Sequence, residues 1–209
     1  MSIETNNKRL VIAFGKGKLF NETLNNFRFT PNNEFKEFVS DNIPIYNDTG
    51  NNLTCVTARH SDLSWMLKKK YINVAVGSSI WFFNENNSTL KKAYTLKTKP
   101  YYLALIAKKG IQIQNITRVV TKFESIARKY FDDIGLDVDV IPMNGCHEIA
   151  LSLEFADAII DVVETGRTIR KLGLQQLDVL YNLNHEVWLR NDNEFENNLN
   201  SMEHLLLPS

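Results

Sequence analysis

One segment in the last third of the sequence carries residue types whose chemistry is clear from their spacing. Residues 156–168, ADAIIDVVETGRT, are predicted to form a buried apolar strand that ends in acidic residues and turns through glycine into a helix. Gly166 can adopt backbone angles that bring N–H groups together, and a helix start adds the positive end of its dipole. With Thr165 and Thr168 as hydroxyl donors, this turn can bind phosphate or pyrophosphate.

Two carboxylates in the same segment suit another part of a ligand. Asp161 and Glu164 would repel a phosphate group, but carboxylates accept hydrogen bonds well from the vicinal hydroxyls of a ribose. The pattern therefore predicts a site for a sugar that carries phosphates. Spacing alone leaves a second interpretation open, in which the segment is only a capped helix start, because phosphate-loop patterns also arise by chance.

The elements around this segment follow the pattern of an α/β protein. Short apolar runs alternate with amphipathic stretches, which is typical of strands buried beneath helices. No internal repeat is visible. The strands are predicted at residues 9–14, 53–57, 73–76, 102–107, 118–120, 136–141, 158–163 and 186–190.

Helix boundaries are predicted from capping residues. Thr121 and Glu124 have the spacing of a capping box at a helix start, and Gly135 stands where a left-handed residue would end that helix. Ser61 is predicted to cap a helix over residues 62–70. A C-terminal helix over residues 193–206 is predicted to bury one apolar face, formed by Phe195, Leu199, Met202 and Leu206.

Composition excludes several classes of protein. A chain of 209 residues with 44% hydrophobic and 23% charged residues can build one sizeable core or two small lobes, which excludes disordered and fibrous classes. The 24 basic residues balance the 24 acidic ones, so no net field would hold the chain on nucleic acid or an anionic membrane surface. Any bound anion needs a local site.

Cysteines and the N-terminus indicate the compartment. Cys55 and Cys146 are far apart and lack metal-ligand spacing, so we expect reduced thiols with neither a disulfide framework nor a zinc site. The first ten residues lack the apolar run of a signal peptide, and no stretch approaches the roughly 18 to 20 apolar residues of a spanning helix. The expectation is a soluble cytoplasmic protein.

A known family shares these motifs. Residues 119–174 resemble the ATP phosphoribosyltransferases almost continuously, through VVTKFESIARKYF, IPMNGCHEIA and FADAIIDVVETGRTIRKLGL. The family's phosphoribosyl pyrophosphate loop reads Asp, two apolar residues, an acidic residue and Thr-Gly-x-Thr, and Glu148 falls on the Glu of its Gly-x-x-Glu stretch. The loop is matched by Asp161, Glu164, Thr165, Gly166, Arg167 and Thr168.

The resemblance extends towards the N-terminus with some departures. Residues 10–19, LVIAFGKGKL, are similar to the family's opening strand and Lys-Gly-Arg loop, and residues 59–77 resemble its Arg-x-x-Asp helix and Val-x-Gly strand. Lys18 replaces the arginine of that loop, and Ser79 replaces the aspartate of the family's Gly-x-Asp. A lysine supplies charge without the bidentate fork of arginine, which puts the nucleotide half of the site in question.

What the resemblance implies is a two-lobed α/β fold of the type II periplasmic-binding-protein kind, with the active site in the interlobe cleft. Residues 1–97 with 182–209 would form the first lobe, on the nucleotide side and with the dimer contacts. Residues 98–181 would form the second lobe and carry the phosphoribosyl pyrophosphate loop. Ligands would lie near the carboxyl ends of strands, as open α/β sheets favour.

The implied reaction moves the 5-phosphoribosyl group of phosphoribosyl pyrophosphate to N1 of the adenine of ATP and releases pyrophosphate, with Mg²⁺ bound to the substrate phosphates. Such a displacement needs cations against the departing charge. The candidates for catalysis are Lys16, Lys18 and Arg59, and Arg167 lies in the phosphoribosyl loop. Each could equally be a solvated surface residue.

Partners follow from the same resemblance. After the last predicted strand the sequence continues only into a predicted C-terminal helix, which resembles the short form of the family. Enzymes of this family catalyse the first step of histidine biosynthesis. That form implies a homodimer that joins a histidyl-tRNA-synthetase-like regulatory subunit in a hetero-oligomer.

Two other functions remain open on the sequence alone. A non-catalytic family member would bind phosphoribosyl pyrophosphate without turnover, and Lys18 and Ser79 favour it slightly. A periplasmic-type binding module would need a secretion signal and would have no reason to carry the phosphoribosyl loop. The four histidines receive no catalytic role, since no triad or dyad can be built from their spacing. The aromatic residues Trp65, Trp81, Phe82 and Phe83 are interpreted as packing residues in preference to a base-stacking surface.

Overall fold

The computed structural model describes residues 9–30, 32–40, 42–85 and 88–207. The first eight residues, which belong to the stretch interpreted above as lacking a signal peptide, lie outside that description. The chain divides into two compact units. Unit 1 contains Met1–Lys99 and Asn184–Ser209, and unit 2 contains Pro100–Leu183.

Unit 1 is built on a sheet that has six strands in the described residues, in the order β2-β3-β1-β4-β11-β5. Strand β1 pairs in parallel with β3 and β4, so the carboxyl ends of these three strands meet at one edge. Strands β2, β11 and β5 pair in antiparallel fashion. The bounds are β1 Leu10–Gly15, β2 Ile45–Asp48, β3 Leu53–Ala58, β4 Val74–Ser78, β5 Leu90–Thr95 and β11 His185–Arg190.

The core of unit 1 is unusually aromatic on one face of the sheet. Phe14, the last residue but one of β1, makes edge-to-face contacts with the rings of Phe20, Phe27, Phe29 and Phe38. Such pairs add to the stabilisation that burial alone gives. The helices that cover the sheet are α1 Phe20–Leu24, α2 Asn33–Val39, α3 His60–Lys68 and α7 Phe195–Leu205.

Unit 2 is built on a second sheet with five strands, all of them described, in the order β10-β6-β9-β7-β8. Strand β7 pairs in parallel with β8 and β9, whereas β6 is antiparallel to β9 and β10. The strands are β6 Tyr101–Lys108, β7 Arg118–Thr121, β8 Asp139–Pro142, β9 Ala158–Val163 and β10 Leu174–Leu183. The helices are α4 Glu124–Asp133, α5 Glu148–Ser152 and α6 Arg167–Lys171.

The predicted strands all exist, although the one over residues 136–141 begins only at Asp139. Three strands were missed: β2, β5 and β10. Each is half exposed or lies at a sheet edge, so its polar residues hide the apolar pattern. Within the part of the chain that the structure describes, none of the helices has the length and apolar character needed to cross a membrane.

Two predicted helix caps were wrong. Thr121 is the last residue of β7; its hydroxyl donates to the carbonyl of Ile160 and accepts the N–H of Phe123, so helix α4 begins only at Glu124 without a capping box. Ser61 lies inside α3, which begins one residue earlier at His60. Gly135 does take the predicted left-handed conformation, with φ +71°.

The aromatic prediction was right in part. Phe82 is buried and stacks on Trp188, with ring centroids 4.9 Å apart, and Trp81 packs partly buried against the same cluster. Trp65 is instead 54% exposed beside Tyr71, and Phe83 is also exposed. The C-terminal helix buries Phe195 and Met202 as predicted, whereas Leu206 follows the helix and pairs with Phe27 in an isolated bridge.

Candidate functional site

The topology of unit 2 brings three chain segments to one edge of its sheet. Because β7, β8 and β9 are parallel, the residues that follow them lie at the same end. These residues are Lys122 after β7, the stretch 143–148 after β8, and the turn 164–168 after β9. All seven site residues predicted in unit 2 lie in the last two segments or at the end of β9.

The turn after β9 has the backbone conformation that the sequence predicted. Gly166 has φ +62°, in the left-handed region, and starts α6. The Thr165 hydroxyl accepts the N–H of Arg167, and Arg167 and Thr168 are exposed. Helix α6 spans only Arg167–Lys171, so its dipole contributes less than a full helix would.

Arg170 is a cation of this turn that sequence reasoning missed. Its guanidinium folds back to donate to the carbonyl of Thr165 at 2.8 Å. A Cβ at Gly166 would lie 3.1 Å from Arg170 Nη1. The positive φ favours glycine here, and the arginine, whose flexible end would have to shift slightly for a Cβ, passes close to it. The spacing Gly-x-x-x-Arg was the available signal for Arg170.

Asp161 lies inside β9, two residues before the strand ends. Oδ1 accepts the N–H of Val162 at 2.8 Å, and Oδ2 lies 3.0 Å from Nδ1 of His147. Burial alone would raise the pKa of the Asp161 carboxyl, but the contact with His147, the Val162 N–H and the charge of Lys122 hold it below its usual range. The group is therefore ionised at neutral pH.

Glu148 and Glu164 complete the acidic part of this edge. Glu148 is the first residue of α5, directly after His147, and is partly buried. Glu164 opens the turn and is also partly buried. Three carboxylates, from β9, the turn and α5, thus belong to segments at the same end of the sheet, and carboxylates can accept hydrogen bonds from a polyhydroxylated ligand.

In unit 1 the parallel strands likewise gather loops at one edge. Lys16 and Lys18 follow β1, Arg59 follows β3, and Gly77 lies near the end of β4. The backbone N–H of Lys16 donates to the carbonyl of Ala58, which ties the first loop to the second. Both lysines and Arg59 are exposed at this edge.

A cavity of about 240 Å³ opens beside the lysine loop. Its walls come from the loop itself, from helix α1 and from the end of helix α2. The lining residues are Lys16, Gly17, Lys18, Phe20, Asn21, Val39 and Ser40.

His60 is the residue that holds these loops together, and sequence reasoning gave it no role. Its ring packs so closely on the backbone that a Cβ at Gly15 would lie 2.2 Å from Nδ1, and one at Gly77 would lie 2.9 Å from it. Nδ1 accepts the N–H of Ser78 at 3.2 Å. The glycines at 15 and 77 therefore make room for a histidine of the same chain.

We expect Gly15→Ala to lower the free energy of unfolding by about 2 kcal/mol, because the added Cβ forces the ring of His60 or the end of β1 to move. In a His60→Ala background the same change should cost at most half as much. Urea unfolding of the four proteins measures this. Gly17→Ala is the matched control: its Cβ would lie 3.5 Å from His60, an ordinary contact. Equal costs of Gly15→Ala in both backgrounds would contradict the packing described.

His185, the first residue of β11, is buried next to His60, and the centroids of the two rings are 5.4 Å apart. Its Nδ1 makes a short hydrogen bond with the hydroxyl of Thr23. Burial disfavours the imidazolium and lowers the pKa of His185 to about 4, although Glu22 acts in the opposite direction.

This depressed pKa predicts a specific acid sensitivity. Between pH 6.5 and 4 the unfolded chain protonates His185 while the folded chain does not, so the stability that the neutral ring contributes above pH 6.5 is lost as pH falls. The loss should reach roughly 3 kcal/mol near pH 4. Denaturant unfolding of wild type and His185→Gln at pH 7.5, 5.5 and 4.5 checks this. A stability difference between the two proteins that does not shrink with falling pH would contradict it.

The predicted site residues therefore fall into two groups. Lys16, Lys18 and Arg59 lie together at the sheet edge of unit 1. The other seven lie at the carboxyl-end edge of the sheet in unit 2; they are Glu148, Asp161, Glu164, Thr165, Gly166, Arg167 and Thr168.

Comparison with known proteins agrees with this architecture. A structure of an ATP phosphoribosyl transferase (HisG:HisZ) complex from Thermotoga maritima covers 93% of this chain and 93% of its own, with a TM-score of 0.71 at 20% identity. The arginine-bound form of truncated ArgBP from T. maritima covers 92% of both chains with a TM-score of 0.56 at 13% identity. The fold is thus the two-sheet α/β fold of type II periplasmic-binding proteins.

Sequence comparison identifies the family of this chain as well as its fold. The family model described as ATP phosphoribosyltransferase matches residues 59–207, which include the whole turn after β9 but not the lysine loop after β1. The ATP phosphoribosyltransferase of Brachyspira hyodysenteriae is 31% identical over 167 residues, which cover 78% of this chain and 80% of that protein. On these two matches, the chain belongs to the ATP phosphoribosyltransferase family.

Proposed function

We propose that this chain catalyses the family's reaction, the first step of histidine biosynthesis, with the two groups of residues described above. The 5-phosphoribosyl group of phosphoribosyl pyrophosphate is transferred to N1 of the adenine of ATP, and pyrophosphate leaves. Family membership supports the reaction. The observation that carries the residue assignment is the end of β9, where an ionised Asp161 in the strand precedes a turn with a left-handed glycine between two threonines.

The phosphoribosyl group is assigned to unit 2. Backbone N–H groups of the turn around Gly166, with the hydroxyls of Thr165 and Thr168, can bind its phosphate. Asp161 and Glu164 accept hydrogen bonds from the ribose hydroxyls, and Glu148 adds a third acceptor. Arg167 supplies positive charge next to the phosphate.

The nucleotide is assigned to the sheet edge of unit 1. Lys16 and Lys18 flank a cavity of about 240 Å³, which is too small for a whole nucleotide but large enough for phosphate groups. With Arg59 they provide three cations for the polyanionic substrates, and charge-assisted bonds to phosphate are among the strongest hydrogen bonds in proteins. Lys18 contributes the single charge of an ammonium group, without the two parallel N–H donors that an arginine guanidinium would offer to a phosphate.

The chemical step is a displacement at the anomeric carbon of the ribose. The lone pair of adenine N1 forms the new N–C bond while the bond from that carbon to pyrophosphate breaks, and its electron pair leaves on the pyrophosphate oxygen. The adenine ring becomes cationic and loses a proton from its 6-amino group. Cations placed where charge grows on the leaving group, together with alignment of two substrates, are what a protein can contribute.

Magnesium is proposed to arrive bound to the substrate phosphates, where it neutralises charge on the departing pyrophosphate. Mg²⁺ is commonly held by substrate phosphates and waters with few protein ligands. This fits the described residues, in which no group of three or more histidine, cysteine or acidic side chains is arranged to hold an ion.

For partners, we propose a homodimer whose contacts lie in unit 1 and which joins a regulatory subunit in the cytoplasm, where ATP is made. Support comes from the T. maritima structure, which is a HisG:HisZ complex and covers 93% of this chain. No role for nucleic acid or a membrane is proposed, in keeping with the balanced charge.

The function is tested by incubating the purified chain with ATP, phosphoribosyl pyrophosphate, Mg²⁺ and pyrophosphatase, and identifying N1-(5-phosphoribosyl)-ATP by mass spectrometry. The expected result is product that depends on both substrates. If phosphoribosyl pyrophosphate binds but no product forms, with or without a regulatory subunit, the chain is instead a non-catalytic member of the family.

A further inference from the structure

His147 is a buried histidine to which the reaction assigned above gives no role. It is 1% exposed and lies between the loop after β8 and strand β9. Its Nε2 contacts the carbonyl oxygen of Met143 at 2.8 Å, and its Nδ1 lies 3.0 Å from Oδ2 of Asp161. A buried ring in contact with a carboxylate of the phosphoribosyl turn is either a packing residue or part of the site.

The two contacts determine the protonation state of the ring. The carbonyl of Met143 can only accept a hydrogen bond, so Nε2 carries a proton. The ionised carboxylate of Asp161 lies 3.0 Å from Nδ1, and a negative charge this close favours a protonated, cationic ring over a neutral one. Both nitrogens therefore carry protons, and His147 is an imidazolium.

The Nδ1 contact is an ion pair and not a well-aligned hydrogen bond, because the N–H direction departs from the line to the oxygen. Burial works against the charged ring, but the contacts with Asp161 and with the carbonyl of Met143 outweigh it and raise the pKa of His147, although Lys122 opposes them. The pKa of Asp161 is lowered by the same pair. Both shifts agree on a charged pair.

The backbone before His147 is held in an uncommon conformation that directs the ring inward. Gly145 has φ +126° and Cys146 has φ +50°. For a residue other than glycine, the left-handed region costs roughly 1 to 2 kcal/mol. In this loop the unfavourable conformation falls on Cys146, the residue directly before His147.

We propose that His147 is a positioning residue for the phosphoribosyl substrate, and that its imidazolium fixes the Asp161 carboxylate towards the ribose hydroxyls. This rests on the proposed function. Oδ1 is fixed by the N–H of Val162 and Oδ2 by His147, so the plane of the carboxylate is set while its remaining lone pairs stay available. The pair is also electrically neutral, so Asp161 does not repel the phosphates that flank the ribose.

The test is a double-mutant cycle on KM. His147→Leu should raise KM for phosphoribosyl pyrophosphate about 20-fold and leave KM for ATP within about twofold. It removes the ion pair that fixes the Asp161 carboxylate, together with the contact to the carbonyl of Met143. In an Asp161→Asn background the same change should raise KM for phosphoribosyl pyrophosphate by less than about threefold, since the group on which it acts is gone. Phe131→Leu, a substitution in the buried core of the same unit, serves as the control for general loosening.

A spectroscopic measurement accompanies the kinetics. Nitrogen-15 NMR of His147 should show both ring nitrogens protonated at pH 7, and the His147 pKa should fall in Asp161→Asn. Equal increases in both KM values, additive effects in the cycle, or a neutral His147 ring at pH 7 would each overturn the inference while wild-type turnover stands. Absence of wild-type turnover and of phosphoribosyl pyrophosphate binding would overturn the proposed function as well.

Discussion

Asp161→Asn is expected to lower kcat/KM for phosphoribosyl pyrophosphate about 100-fold, equivalent to roughly 2.7 kcal/mol, while KM for ATP changes little. The physical reason is that asparagine keeps the shape of the side chain but removes the charge that accepts ribose hydroxyls, and it leaves the imidazolium of His147 buried without its counter-ion. Steady-state kinetics with each substrate varied in turn measures the effect.

The matched control is Asp157→Asn, since Asp157 lies just before the same strand at its other end. Its Oδ2 accepts the N–H groups of Thr117 and Arg118 and the Thr117 hydroxyl, so its role is to join chain segments. This variant should lose stability and keep both KM values. If Asp161→Asn keeps more than about a third of wild-type kcat/KM, or if the two variants behave alike, the ribose assignment is wrong.

The largest loss of stability is expected for Arg190→Leu, at about 3 kcal/mol. Arg190 ends β11 and is 5% exposed. Its guanidinium donates to the carbonyl of Ile72 and to the carboxylates of Asp192 and Glu194, at 2.9, 2.9 and 2.6 Å. Leucine would leave the buried carbonyl of Ile72 without its donor and would remove the guanidinium from two partly exposed carboxylates, of which Asp192 also lies 3.9 Å from Lys70.

Thermal and urea unfolding check this prediction. For a chain of about 200 residues, the expected loss corresponds to a fall in Tm of roughly 10 °C. Arg128→Leu is the comparison, because Arg128 pairs with Glu124 on the exposed face of α4 and such surface pairs contribute at most about 1 kcal/mol. A cost below about 1 kcal/mol for Arg190→Leu would show that solvent replaces the buried contacts.

The parts of the fold that could be predicted are those where burial dominates. Strands β1, β4 and β9 are apolar runs with mostly buried residues, and the family resemblance implied the two-lobed fold class but no strand order. The fold class was confirmed by the comparison with solved structures. Strand β10 could not be read from its residues, LQQLDVLYNL, because register shifts against β6 at two places break the alternation of inward and outward side chains.

Only the part of the candidate site that is continuous in sequence could be predicted, because contacts between distant residues depend on the fold. Residues 161–168 are consecutive, so a motif can represent them, and their assignment remains a proposal. His147 and Asp161 are fourteen positions apart and meet only because α5 connects the parallel strands β8 and β9 at one edge. His60 likewise reaches Gly15 and Gly77 through the pairing of β1 with β3 and β4.

Charge gives the two sheet edges different expected roles. In unit 1 the edge residues named above are the cations Lys16, Lys18 and Arg59, whereas the edge in unit 2 combines carboxylates with donors and Arg167. A ligand with sugar hydroxyls between phosphates matches the second edge, and a polyphosphate matches the first. The departures at Lys18 and Ser79 concern only the first edge.

The assignment of the phosphoribosyl group to unit 2 is tested most directly by a crystal structure of the chain with phosphoribosyl pyrophosphate and Mg²⁺. We expect the ribose hydroxyls within hydrogen-bond distance of Asp161 and Glu164, and the 5-phosphate on the backbone N–H groups of residues 165–168. Ligand density away from the turn after β9, or a ribose that does not touch Asp161, would contradict it.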